Sequence, residues 1–382
     1  MFLSVTRLAV ALSALSLSVP AAAREKPGWI DVSATYTMDL MAVSSGTPDR
    51  QIVRLDNLDL IAAASLDRFG WSGARLHFHV LGNSGGRPND RAGTLQGINN
   101  IEVPRASVRL FEAWIEQELG QSSLRAGLYD LNNEFYATES SGLFIAPPFG
   151  IGSELAATGP NGPSIFPSTA LAVRLDTRVG NSGIVRAAAI NASARTIGDR
   201  GGMDWSFNDG LLLIAEGGIE DESGKLVVGA WRFGRQHDDV RELRETGDPR
   251  SRRAQGVYLL GEKPLGERVT VFVRAGFSDG RTTVFRGGWQ GGMQWSPVFQ
   301  GHKESALALG AHQAFLSRGA RRNLAEDDIR PARTETGLEI SYSDRLFGPV
   351  TVQPDLQLIF NRGGDRKADG MLVAGVRLTL GL

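Results

Sequence analysis

From Ile30 to Leu40 the chain alternates without a break. Ile30, Val32, Ala34, Tyr36, Met38 and Leu40 are apolar, and Asp31, Ser33, Thr35, Thr37 and Asp39 between them are polar. Successive side chains of an extended segment point to opposite faces, so this stretch has one wholly apolar and one wholly polar face. The same signature returns at Ala74 to Val80, Val269 to Phe277, Thr336 to Tyr342, Val350 to Phe360 and Leu372 to Leu382. Weaker versions lie at Leu58 to Leu66, Ala106 to Gln117, Leu124 to Leu128, Leu171 to Leu175, Ile184 to Ile190, Leu211 to Ile219, Leu226 to Phe233, Val257 to Leu260, Gly287 to Trp295 and Ala306 to Phe315. Together they predict about sixteen strands, each near the ~9 to 11 residues of a tilted membrane strand.

The connections support an all-β, transmembrane antiparallel barrel, in which short inner turns alternate with long outer loops. Asp67 to Gly73, Gly120 to Ser122, Arg178 to Asn181, Glu220 to Gly224, Lys263 to Glu267 and Asp344 to Gly348 are short. Gly82 to Pro104, Tyr129 to Ser168, Ser193 to Gly210, Gly234 to Ala254 and Leu316 to Arg333 are long. A soluble sandwich has no reason to keep that parity. Bacterial barrels often end on an aromatic residue; Leu382 departs from that habit while keeping the alternation.

Export is predicted at the N-terminus. Arg7, the apolar run Leu8 to Val19 and the small residues Ala21-Ala22-Ala23 before Arg24 form a secretory signal peptide over residues 1–23. The mature chain from 24 to 382 then makes one barrel domain. No later stretch approaches the ~18 to 20 continuous apolar residues of a membrane helix. Composition changes this picture little. Lys+Arg 41 against Asp+Glu 42 leaves no basic field for nucleic acid, and the absence of Cys removes thiolate sites and disulfides. Gly at 47 of 382 residues far exceeds the ~7% average, which suits close approaches, bends and turns in a closed sheet. Trp71, Trp114, Trp205, Trp231, Trp289 and Trp295 near strand ends are read as an interfacial girdle.

The longest loop, at about 129–168, exceeds what a hairpin needs, and its Phe, Tyr and Ile content argues for an ordered segment folded into the lumen. Here the chain resembles the carbohydrate-selective porins, the OprB-like outer-membrane channels. The resemblance is carried by Arg109-Leu110-Phe111-Glu112-Ala113-Trp114, Arg125-Ala126-Gly127-Leu128-Tyr129-Asp130-Leu131-Asn132, Thr138 to Phe144, Asn161 to Pro167, and Val352 to Gln357 with Gly363-Gly364-Asp365. It implies a sixteen-stranded channel in the bacterial outer membrane for diffusion of sugars into the periplasm, a homotrimer with lipid and lipopolysaccharide as neighbours, and no cofactor.

Sugar recognition needs planar hydrogen-bonding groups for hydroxyls and aromatic faces for ring C–H surfaces. The loop offers Asn132, Asn133, Glu134, Glu139 and Asn161 beside Phe135, Tyr136, Phe144 and Phe166. On the neighbouring strands, Arg105, Arg109, Glu112, Trp114, Glu116 and Arg125 complete the candidate constriction. A charge on the lipid face costs ~2 to 4 kcal/mol for Arg or Lys near the midplane, so the lumen is the expected direction of these charges. His77 and His79 share a strand face but lack a third ligand of suitable spacing, and are read as a lumen-facing pair without metal. Asn191-Ala192-Ser193 is read as a chance sequon, and Arg250-Ser251-Arg252-Arg253 as a solvated outer loop facing lipopolysaccharide. Two competing functions are a porin for other small polar or anionic solutes and a barrel hydrolase using Glu134 and Glu139 as acid and base.

Overall fold

A computed structural model describes residues 29–44 and 52–381; the expected signal peptide at 1–23 and the terminal Leu382 lie outside the described residues. Sixteen strands form a closed antiparallel barrel. The first nine in chain order are β1 (Ile30–Ser44), β2 (Ile52–Ser65), β3 (Ala74–Gly85), β4 (Ser107–Leu119), β5 (Ser122–Tyr129), β6 (Ala170–Val179), β7 (Gly183–Asn191), β8 (Leu211–Asp221) and β9 (Gly224–Phe233). Seven more run from Gln255–Pro264 to Met371–Gly381, and the last pairs with β1, Thr37 opposite Thr379. Closure leaves no edge with unpaired N–H and C=O groups, the condition for spanning lipid with strands.

Among the described residues every segment read from the alternation lies on an observed strand to within one residue. The outward set includes Val32, Phe78, Val173, Leu213, Val228, Val273 and Leu338, all exposed on the barrel's outer surface. The rhythm of connections holds except at the first pair, seven residues outside against eight inside, and at one clear inversion. The outer connection between the strands Val269–Ser278 and Phe285–Trp295 has only six residues, whereas the inner one from Trp295 to Ala306 has ten. The long 234–254 segment is not a plain loop: His237–Leu243 and Pro249–Arg252 pair as a small hairpin. Within it Arg252 is taken up by Glu242 at 2.5 Å and Asp239 at 3.4 Å.

Two members of the expected aromatic girdle are misplaced by the sequence reading. Trp114 and Trp231 are buried inside the barrel, because both occupy inward positions of their strands. Trp71, Trp205 and Trp295 are exposed. Some of the glycine excess serves the inside of the wall. A Cβ on Gly310 would stand 2.6 Å from Phe144 and 2.8 Å from Phe149, so its bare backbone is a socket for those rings.

Candidate functional site

Two outer segments fold into the lumen, 86–106 and 130–169, and each is fastened to the inner wall by side chains that the strands aim inward. Glu335 accepts hydrogen bonds from the amides of Leu95, Gln96 and Gly363 at 2.8 to 3.0 Å. Glu339 accepts from the Ile145 and Ala146 amides at 2.5 and 3.1 Å, and Gln353 donates to the Leu143 carbonyl at 2.6 Å. Arg274, fully buried, donates to the carbonyls of Tyr136, Gly150 and Pro148 at 2.9, 2.8 and 3.1 Å. Charged and amide side chains thus satisfy loop backbone that would otherwise be buried without partners.

The charged groups between β4 and β8 form a row dictated by strand register. Glu116 stands opposite Arg125 and Arg125 opposite Arg174; Asp176 stands opposite Arg186 and Arg186 opposite Glu216. Like charges directly across a ladder destabilise it, and Arg125 and Arg174 are such a pair. Glu134, reaching in from the loop, resolves the conflict. Its Oε1 lies 3.3 Å from Arg125 and 2.5 Å from Arg174, and Arg186 lies 4.0 Å from its Oε2. Tyr129 donates its hydroxyl proton to the same carboxylate. Burial alone pushes the Glu134 carboxyl up, yet the three guanidiniums outweigh it and hold it at about 2. Glu116, Glu134, Asp176 and Arg186 keep 11 to 20% of their side chains accessible, so polar groups of this row face the remaining lumen.

Arg109 and Glu112 are three residues apart, which in an unbroken strand puts them on opposite faces. A bulge prevents this: Glu112 pairs with His79 while Leu110 pairs with Val80, leaving Phe111 extra, and both Arg109 and Glu112 are buried inside. Arg109 then reaches Asp199 at 2.6 Å. Glu112 accepts from the Trp114 indole at 3.2 Å, the Asp130 amide at 3.1 Å and the Asn133 side-chain amide at 3.2 Å. Trp114 lies between the His77 ring, stacked at 4.6 Å, and the Arg125 guanidinium at 3.8 Å. The bulge also brings His77, His79 and Glu112 together, their ligand atoms all within 4.8 Å of one another, a third group that linear spacing did not reveal.

The remaining candidates divide. Asp130 caps the loop's first turn, its carboxylate accepting from the Asn132 amide, and the Asn132 side chain donates to the Gly150 carbonyl at 3.0 Å. Asn161 exchanges two hydrogen bonds with the Ala194 backbone, at 2.6 and 3.0 Å, joining two loops. Phe135 and Tyr136 are completely buried in the core that the loop shares with the inner wall, and Phe144 stacks on Phe149 at 3.9 Å; these rings turn to the wall instead of the pore. Phe166 packs 6.4 Å from Phe111. Arg105 is exposed beside the Gly198 carbonyl, and Glu139 is exposed and uses its backbone amide on Glu262 at 3.1 Å, so neither joins the charged row. Sequence reasoning missed Arg174, Asp176, Arg186 and Glu216. Their signal was present for Arg174, between Val173 and Leu175, and for Arg186, between Val185 and Ala187: each is polar between apolar neighbours on a weakly alternating strand.

Two recesses frame the site. A polar cavity of about 230 Å³ lies between the two inward loops, lined by Arg87, Asn89, Asn99, Glu102 and Pro147 among others. The larger one, about 900 Å³, opens on the outer surface between Val173, Ala187, Ala215 and Val257 and is no part of the lumen.

The model of the carbohydrate-selective porin, OprB family, matches residues 49–382. Among solved structures, the high-pH structure of Pseudomonas putida OprB aligns with a TM-score of 0.81 at 19% identity, over 92% of this chain and 94% of its own. Its low-pH structure aligns with a TM-score of 0.58 at 15% identity, over 92% of each chain. The outer membrane channel DcaP of Acinetobacter baumannii aligns with a TM-score of 0.58 at 9% identity, over 92% of this chain and 97% of its own. At such identities the likeness is one of fold. No curated protein matches the sequence.

Proposed function

Because the chain belongs to the OprB family of carbohydrate-selective porins, a channel of the bacterial outer membrane, we propose that its loop-narrowed lumen passes monosaccharides such as glucose into the periplasm by diffusion. The observation that carries this reading is the cross-strand row Glu116, Arg125, Arg174, Asp176, Arg186 and Glu216 with Glu134 clamped onto it. The row's accessible members, Glu116, Glu134, Asp176 and Arg186, offer a sugar's hydroxyls closely spaced donors and acceptors, while four carboxylates against three guanidiniums leave a simple ion little net attraction. Recognition in this reading relies on charged hydrogen-bonding groups, since Trp114, Phe135, Tyr136 and Phe144 are occupied in packing.

The same geometry speaks against hydrolysis. Glu134, held at about 2 by its guanidiniums, is no proton donor near neutral pH, and Glu139 stands apart at the loop surface. Liposomes containing the protein are expected to swell quickly in monosaccharides and more slowly in disaccharides. Equal entry of sugars, amino acids and salts of similar size would remove the sugar preference and favour a channel for general polar solutes. Turnover of a glycoside or ester by the pure protein would overturn the channel-only account. Sedimentation in detergent tests the homotrimer separately: a mass of three chains is expected, and single barrels would remove it without touching transport.

A further inference from the structure

We propose that His77, His79 and Glu112 bind one divalent transition-metal ion of the zinc type, fastening the root of the inward loop to the barrel wall. The proposal does not rest on the sugar reading and stands or falls apart from it.

The hydrogen-bond inventory leads to it. His79 Nε2 lies 2.8 Å from Asp59 Oδ1, and an ionised carboxylate only accepts, so the ring proton sits on Nε2. Nδ1 of the same ring then presents a lone pair to Glu112 Oε2, 3.9 Å away. In the neutral ring two acceptors face each other across that gap, so it holds either a proton or a cation. His77 repeats the situation from the other side: it is 94% buried, neither ring nitrogen has a hydrogen-bond partner, and its Nε2 stands 3.7 Å from the same carboxylate oxygen. Buried imidazole nitrogens without partners are rare and costly, and a cation among the three groups would take up His77 Nε2, His79 Nδ1 and the Glu112 carboxylate at once.

Spacing admits an ion and chemistry selects it. Bonds of ~2.0 to 2.1 Å to a tetrahedral ion separate its ligand atoms by roughly 3.4 Å; the gaps to Glu112 are 3.7 and 3.9 Å and all three ligand atoms lie within 4.8 Å of one another, so binding needs the side chains to draw in. Two imidazoles and one carboxylate select zinc, cobalt, nickel or copper over magnesium or calcium. The surroundings supply the outer hydrogen bonds of a metal centre. Asp59 holds His79 and itself accepts from Asn57 at 2.6 Å, while Trp114, Asn133 and the Asp130 amide orient Glu112. Asp130 precedes the first turn of the inward loop, so an ion here would tie that loop's start to β3 and β4.

The test uses the untagged full chain, folded in detergent micelles and stripped with a chelator. Cobalt(II) alone is added, and the visible absorption of tetrahedral cobalt is recorded, followed by zinc displacement against a chromogenic chelator. One ion per chain is expected. His77→Ala and His79→Gln should each weaken binding by at least ~100-fold, and Asp59→Asn by ~10 to 100-fold. His302→Ala, at an exposed histidine away from the cluster, should bind as the wild type does. Unchanged heat-modifiable migration of each variant verifies its fold, and because neither histidine anchors loop backbone, the test does not depend on Glu112→Gln folding. Absence of uptake by the wild type would overturn the proposal, leaving a proton shared by His79 and Glu112 as the occupant. Equal uptake by both histidine variants would overturn it as well.

Discussion

Glu134 and Glu154 belong to the same inward loop and both lie against the barrel wall, the first half-buried and the second fully buried, yet the two walls treat them in opposite ways. Glu134 meets β5, β6 and β7, where Arg125, Arg174 and Arg186 hold its carboxyl at about 2 against the upward push of burial. Glu154 meets the strands Val269–Ser278 and Phe285–Trp295, where a Cβ on Gly276 would collide with it and one on Gly288 would touch it. It accepts the Tyr136 hydroxyl proton at 2.9 Å, its other oxygen has no hydrogen-bond partner, and burial pushes its carboxyl up to about 7. The loop's Tyr136, Ile151 and Leu155 pack by shape in an apolar cluster with Ile190, Leu212, Ile214, Trp231, Phe233, Tyr258 and Leu260, and Arg274 on the strand Val269–Ser278 fixes three loop carbonyls. Near Glu134 the loop is seated by charge. The loop is thus held on one side by apolar packing, fixed in place by Arg274, and on the other by an ion-paired row, and of the two the row keeps partly accessible polar groups.

The largest effect expected is on the apolar side. Phe135→Ala empties a completely buried site and should cost about 3 to 5 kcal/mol in urea unfolding of the lipid-embedded barrel, with a raised single-channel conductance as the loop loosens. A cost below about 1 kcal/mol would mean that the ionic wall alone seats the loop. Glu134→Gln should cost roughly 3 kcal/mol by leaving buried guanidiniums uncompensated, and should move the reversal potential toward anion selectivity. An unmoved reversal potential would show that the row does not face the ion path.

The two carboxyls also differ in their response to pH. Glu154 binds its proton more tightly when folded, so its contribution to stability is complete below about 4.5 and is lost as pH rises through about 7. Glu134 has the reverse sign: its contribution is present above about 4.5 and is lost only as pH falls through about 2. Between pH 5 and 8 the urea midpoint should therefore fall, and Glu154→Gln should flatten that slope while Glu134→Gln leaves it in place. The smallest effect belongs to Asn161→Ala, which removes two hydrogen bonds to Ala194 that join loop to loop. About 1 kcal/mol and an unchanged conductance are expected, and a conductance change would extend the site beyond the two walls.

Much of the barrel was legible because a strand declares its faces locally. Arg125 opposed by Leu124 and Ala126, or Val173 and Leu175 around Arg174, need no tertiary information to be sorted into inside and outside. The rule failed where its premise failed. It assumes water inside, and Trp231 and Phe233 point inside because the lumen there is filled by the loop's Phe135, Tyr136 and Leu155. Sequence placed Phe135, Tyr136 and Phe144 in the right loop but could not tell a ring that meets solute from one that meets the wall.

Alternation and connection length by themselves determined an antiparallel barrel of about sixteen strands, its lipid-facing side and the loop that narrows it, because a period of two and a loop's length are properties of neighbouring residues. Which charges stand opposite one another was decided only in three dimensions. One extra residue at Phe111 turns Glu112 toward His77 and His79, and the register of β4 to β8 sets Arg125 against Arg174 and so creates the place that Glu134 fills. Register and bulges arise from pairing between distant segments and from closure of the whole sheet, so no local pattern contains them.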